Sequence, residues 1–171
     1  MSETGSSPSD RRGFLGVTEF RVSRACVATT YRFLRERGAL GVEGVVFWPG
    51  RREGDRVDVE AAVVPAQTAY KSEAGLRYRV EEDELARFLD AVLDAGLVFP
   101  IQVHSHPREA YHSPLDDEEP AVGTVGSLSI VVPDFAAGPP DPDLWAVYRL
   151  RPGEGWVPLD VDARRSLLLI V

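Results

Sequence analysis

Between Gln102 and Asp117 the chain reads Q-V-H-S-H-P-R-E-A-Y-H-S-P-L-D-D and holds all 3 of its histidines. On an extended strand alternate side chains share a face, so His104 and His106 converge while Ser105 points the other way. Pro107 has no amide hydrogen to give to a ladder and ends the strand. Ser113, Pro114, Leu115 and Asp116 then read as a helix start, with serine as N-cap, proline at the first helical position and an acid at the third. Two imidazoles from a strand end and one carboxylate from a helix start make a three-ligand metal site. Its fourth tetrahedral position stays open, as a catalytic zinc requires. Whatever else the chain does, it must fold so that a strand end meets a helix start.

A chain of 171 residues has room for one domain with a proper core and is short for two. Acidic residues outnumber basic ones 27 to 19, for a net charge of -8, so the basic surface that nucleic acids require is absent from the composition. The single cysteine, Cys26, has no partner for an internal disulfide, and no signal-like or long apolar segment opens the chain. These features point to a cytoplasmic protein without a membrane or nucleic-acid partner. Cys26 falls on the apolar side of a predicted helix, where a free thiol packs as a small hydrophobe.

Met1 to Arg12 is rich in Ser, Pro and Gly and has little to bury, so it is predicted to be a disordered tail preceding a single domain over residues 13–171. Val27, Tyr31 and Leu34 recur at helical spacing behind a capping Ser23, which predicts a helix over Arg24 to Arg37. Gly38 stands where a left-handed residue would end it. Val42 to Trp48 reads as a strand stopped by Pro49-Gly50, and Val57 to Pro65 as its hairpin partner across a polar turn. Ala66 to Gly75 lacks clear periodicity and reads as a loop that could lie over a site. Leu85, Phe88, Leu89, Val92 and Leu93 form one apolar stripe of a second helix, with acids at its front and Gly96 behind it. Strands follow at Leu97 to Val103, Ser127 to Val132, Trp145 to Leu150, Trp156 to Val161 and Leu167 to Val171. The fold class is therefore α/β (α+β), a mixed β-sheet with flanking helices.

The H-S-H-P and S-P-L-D motifs, with an upstream glutamate in V-E-G-V-V-F after an N-terminal helix, resemble the JAMM (MPN-plus) zinc metalloproteases. The resemblance runs from about Ser23 to Val132 and implies an MPN/cytidine-deaminase-like core. It implies that His104, His106 and Asp116 hold Zn2+, that Glu43 is the general acid/base, and that Ser113 stabilises the oxyanion. The spacer Pro107 to His112 is one residue shorter than the family's, and the family's usual count would fall on Pro114 and Asp117. Asp116 and Asp117 therefore both stand as candidates for the third ligand, with Asp116 favoured because it lies one helical turn from Ser113. His112 is expected beside the site or on the surface.

Taken singly these residues have plainer readings: a hydrogen-bonded pair of histidines at a sheet edge, a helix cap, a surface acid. Their occurrence together in this order favours a metal site. The implied activity is hydrolysis of an amide or isopeptide bond at the C-terminus of a ubiquitin-like or sulfur-carrier protein. A non-catalytic scaffold of the same fold is the alternative. Amidohydrolase and phosphoesterase sites also combine H-x-H with Asp, but the barrels that carry them typically need about 250 residues.

Overall fold

The computed structural model describes residues 13–73, 75–113, 116 and 121–171. In chain order the elements are β1 (Glu19–Val22), α1 (Arg24–Ala39), β2 (Val45–Glu53), β3 (Arg56–Val59), β4 (Thr68–Ser72), β5 (Gly75–Arg79), α2 (Glu82–Asp94), β6 (Val98–Ser105) and β7 (Leu128–Val132). Two short 3₁₀ turns, Asp134–Ala136 and Pro142–Leu144, lead to β8 (Ala146–Arg151), β9 (Gly155–Pro158), α3 (Val161–Leu167) and β10 (Leu168–Ile170). Eight strands form one mixed sheet in the order β10-β1-β3-β2-β6-β7-β8-β9, and β4 and β5 form a separate hairpin. This is a mixed α+β fold, as the alternation of helical and strand patterns predicts.

The central strands β6 and β7, and β2 from Val45 to Gly50, are buried almost throughout because both faces of the sheet are covered there. On one face α1 buries Cys26, Val27, Tyr31 and Leu34 against Val46, Trp48, Ile101, Val103, Ile130 and Val132. Burial pushes the Cys26 thiol up to about 12, which makes it a packing residue and not a reactive one. Polar atoms on this face are matched: Trp48 Nε1 donates to Thr30 Oγ1 at 2.8 Å, and Trp145 Nε1 to the Tyr31 hydroxyl at 2.6 Å. On the opposite face α2 covers Val45, Phe47 and Phe99. Only part of its apolar stripe is used there: Val92 is buried, Leu85 and Phe88 pack against the cluster, and Leu93 is 72% exposed.

Several elements differ from their sequence-based expectations. α1 runs through Gly38 to Ala39, and the left-handed residue is Gly41, at φ 69°. Pro49-Gly50 does not stop β2; the strand passes through them with a register shift against β6 between Trp48 and Gly50, the kind of irregularity that tolerates a proline in a sheet. Ala66 to Gly75 is no simple loop, since it contains β4 and the start of β5. The expected strand to Val161 ends at Pro158, and α3 follows because Asp160 caps it, accepting from the Ala163 N–H at 2.8 Å. β1 has no sequence counterpart among the expected strands; its parallel partners, β10 and β3, lie at distant points of the chain.

Candidate metal centre

β6 carries His104 to the end of the sheet, between Val45 of β2 and Val131 of β7. His106 follows immediately, its N–H bonded to the Val132 carbonyl at 2.9 Å. Its own carbonyl is held by the Phe135 N–H at 2.9 Å, and the Arg108 carbonyl by the Asp134 N–H at 2.9 Å. Those donors sit in an unusual turn in which Asp134, Phe135 and Ala136 are all left-handed, at φ 52°, 51° and 57°. Consecutive non-glycine residues in that region are strained, and the surrounding structure must hold them there. Arg35 does so in part, donating to the Ala136 and Gly138 carbonyls at 3.0 Å each. Gly38 does the rest by being small: a Cβ there would lie 2.3 Å from Phe135 Cβ. Gly38→Ala is therefore expected to destabilise the protein by about 1–3 kcal/mol despite alanine's better helix propensity, read as a lowered thermal midpoint.

Asp116 reaches the histidines through a local cap with Ser113. The Ser113 N–H donates to Asp116 Oδ2 at 2.7 Å, and the Asp116 N–H is 3.0 Å from the Ser113 carbonyl and 3.3 Å from Ser113 Oγ. This reciprocal pattern is that of a capping box. Pro114, Leu115 and Asp117 lie outside the described residues. Asp116 lies with the histidines. One potential ligand atom from each of His104, His106 and Asp116 falls within 4.8 Å of the others. Asp116 Oδ2 is 3.4 Å from His104 Nε2 and 3.3 Å from His106 Nε2.

The donor set suits a metal ion. All three residues are buried, and among the described residues His104 Nδ1 and Nε2 and His106 Nε2 have no hydrogen-bond partner. Unpartnered buried nitrogens are costly, at about 1–3 kcal/mol each, unless something else satisfies them. Burial lowers the proton affinity of His104 below its ordinary value, against the pull of Asp116, which favours the neutral ring a metal needs. Burial opposes ionisation of Asp116, yet His104, His106 and the Ser113 N–H together hold its carboxyl well below the usual carboxylate range. Two imidazoles and one carboxylate are an ordinary ligand set for zinc and neighbouring divalent metals.

Glu43 precedes β2 and is fixed by its backbone, whose N–H donates to the Leu76 carbonyl at 3.0 Å. Its side chain is turned inward, the residue is 3% exposed, and Oε2 makes no hydrogen bond. Burial raises its proton affinity, while Arg77 and His106 oppose the rise. The segment that carries Glu43 leads into β2, which pairs antiparallel with the histidine strand and sets Val45 opposite His104.

The chain is 38% identical over 133 residues to "Probable metalloprotease y4jG" of Sinorhizobium fredii (strain NBRC 101917 / NGR234), a match covering 78% of this chain and 82% of the relative. It belongs to that metalloprotease family. The solution structure of protein DSY2949 from Desulfitobacterium hafniense shares the fold, with a TM-score of 0.62 at 16% identity over 89% of this chain and 92% of that one. No protein-family model matches the chain.

Two further residues complete the surroundings of the site in this metalloprotease. Sequence reasoning missed Arg77 of β5, which is 4% exposed and reaches Glu43, Ser113 and Asp116. The only sequence signal was the alternation of G-L-R-Y-R behind a Gly, which marks a hairpin but says nothing of where its arginine goes. Tyr78 lies over His104 with ring centroids 6.0 Å apart. The His112 ring centroid is 6.2 Å from that of His104, its Nε2 is 3.2 Å from Ser129 Oγ, and its ring packs on Tyr148 and Trp156. A cavity of about 680 Å³ opens on Arg77 and Asp116, walled by Tyr70, Tyr78 and the acidic start of α2. Among the described residues no helix is long and apolar enough to cross a membrane.

Proposed function

We propose that this chain is a JAMM-type zinc peptidase that hydrolyses an amide or isopeptide bond at the C-terminus of a ubiquitin-like or sulfur-carrier protein. The observation that carries the reading is the buried cluster of His104, His106 and Asp116, with its unpartnered imidazole nitrogens, beside an inward-facing Glu43. A zinc ion bound there would supply Lewis acidity and a water whose pKa is lowered to about 7. Glu43, unpaired by any hydrogen bond at Oε2, accepts the proton of the attacking water and returns it to the departing amine. Ser113 Oγ accepts from Arg77 Nη1 at 3.1 Å and from the Asp116 N–H at 3.3 Å, so its own proton is the capacity it has left. That proton is donated to the oxygen on which charge develops. The cavity of about 680 Å³ at Arg77 and Asp116 is the seat proposed for that C-terminal tail.

A scaffold with no chemistry would gain nothing from a buried carboxylate oxygen without a hydrogen bond, because desolvating it destabilises the fold. The deciding assay uses a ubiquitin-like protein with a C-terminal peptide or lysine-linked extension. Metal-dependent cleavage directly after the tail is the expected result, and intact substrate with fully zinc-loaded protein would overturn the substrate assignment.

Asp116→Asn is expected to lower zinc affinity severely. Loss of a group that merely orients a ligand costs about 10–100-fold, and loss of the ligand's charge costs more. Asp117→Asn should leave affinity nearly unchanged. Zinc titration of both variants distinguishes the two acids.

A further inference from the structure

We infer that Arg77 is a positioning residue that fixes the metal-binding oxygen of Asp116, the hydroxyl of Ser113 and the carboxylate of Glu43 in one frame, an inference that rests on the zinc-peptidase reading. Each nitrogen of its guanidinium is directed at a different member of the site. Nη2 is 2.5 Å from Asp116 Oδ1, Nη1 donates to Ser113 Oγ at 3.1 Å, and Nε is 3.5 Å from Glu43 Oε2. A planar fork is suited to this, since its donors keep fixed angles to one another, whereas a lysine ammonium is a single point charge on a flexible stem.

The division of labour at Asp116 is specific. Arg77 engages Oδ1, while Oδ2 is the oxygen that faces His104 and His106, at 3.4 Å and 3.3 Å, and accepts from the Ser113 N–H. Arg77 thereby orients the carboxylate so that one oxygen alone is presented to the histidines. At Glu43 it contributes a cation without taking the hydrogen-bonding capacity of Oε2, which stays available to a proton.

The β4–β5 hairpin delivers this arginine. It is not part of the main sheet, and it meets the Glu43 segment through the bridge between Val42 and Leu76 and the Glu43 N–H bond to the Leu76 carbonyl. The residue next to that attachment is Arg77. The backbone that places the proposed base therefore also places the arginine, and a displacement of the hairpin would move both.

Arg77→Gln and Arg77→Lys test the role against plain charge balance. In each variant zinc affinity, measured by competition with a chromophoric chelator, should fall about 10–100-fold, the usual cost of losing a ligand's orienting partner. The visible spectrum of the cobalt(II)-substituted protein should change in both, and kcat should fall far more than KM changes. Lysine should not rescue, because its three donors radiate from one nitrogen on a flexible stem and cannot reproduce the fixed fork that addresses Asp116 and Ser113 while holding a cation beside Glu43. Wild-type affinity and an unchanged cobalt spectrum in both variants, or full rescue by lysine, would overturn the inference. Loss of native circular dichroism in both metal-free variants would also overturn it, by assigning Arg77 to stability alone. Wild-type protein that binds no zinc sinks the zinc-peptidase reading and this inference with it; wild-type protein that binds zinc and cleaves, beside unaffected variants, sinks only the role of Arg77.

Discussion

Glu43→Gln should leave zinc bound at about one ion per chain while slowing hydrolysis by roughly 10² to 10⁴, the usual worth of general acid/base catalysis. The separation of binding from turnover is the point of the experiment. Glu43 stands outside the group of mutual ligand atoms formed by His104, His106 and Asp116, so removing its charge takes away no ligand. Glutamine keeps the shape and a hydrogen-bonding oxygen but accepts no proton at neutral pH. Metal analysis and steady-state rates on the same preparation check both halves, and near-normal turnover would remove Glu43 from the chemistry. The carboxyl has a second, independent readout. In metal-free wild-type protein burial raises its pKa above 4.5, so it should take up its proton at a higher pH than an exposed glutamate does. The sign for stability follows. A raised folded pKa favours the fold at low pH, and this contribution is lost as pH rises from the unfolded value through the folded one. Metal-free Glu43→Gln lacks that loss, so its stability relative to the wild type should rise as pH increases from the unfolded value through the folded one. Carboxyl NMR titration reads the protonation directly.

His104→Ala is expected to have the largest effect on the metal, reducing occupancy from about one zinc per chain to nearly none and abolishing hydrolysis. His104 is 0% exposed, and among the described residues neither of its ring nitrogens has a hydrogen-bond partner, so its loss removes a ligand atom from the centre of the cluster. The substitution also uncouples the metal from stability. Zinc that binds only the folded state stabilises it by about 2.7 kcal/mol at 100 times its dissociation constant. Zinc should therefore raise the thermal midpoint of the wild type and leave that of His104→Ala unchanged. Full zinc occupancy in the variant would remove the proposed site altogether.

The features legible in the sequence are those whose physics is local. The two-residue spacing of His104 and His106 puts both rings on one side because a strand alternates, and β6 is a strand because V-F-P-I-Q-V is apolar enough to be buried on both faces. The Ser113 to Asp116 spacing is one helical turn, and the reciprocal cap that joins them is made within four residues of chain. α1 and α2 were visible because their apolar repeats match the helical period, although only the structure shows that Leu93 is left outside the buried face.

What the sequence by itself determined is therefore the chemical inventory of the site: two imidazoles, a carboxylate, a hydroxyl and a distant glutamate, on elements whose type each segment could specify alone. The tertiary structure decided which groups meet. Arg77 lies 36 positions from Ser113 and 39 from Asp116, and no local pattern marks an arginine that will be buried between them. Gly38 is a close-packing residue and not a helix terminator because Phe135, far along the chain, presses against it. The left-handed turn at Asp134–Ala136 runs against local propensity and persists only because packing and hydrogen bonds from α1 and the His106 strand compensate for its strain. Local energies are written along the chain, whereas these contacts depend on sheet order, and β1, β4 and β5 acquire their places only once their distant neighbours are formed.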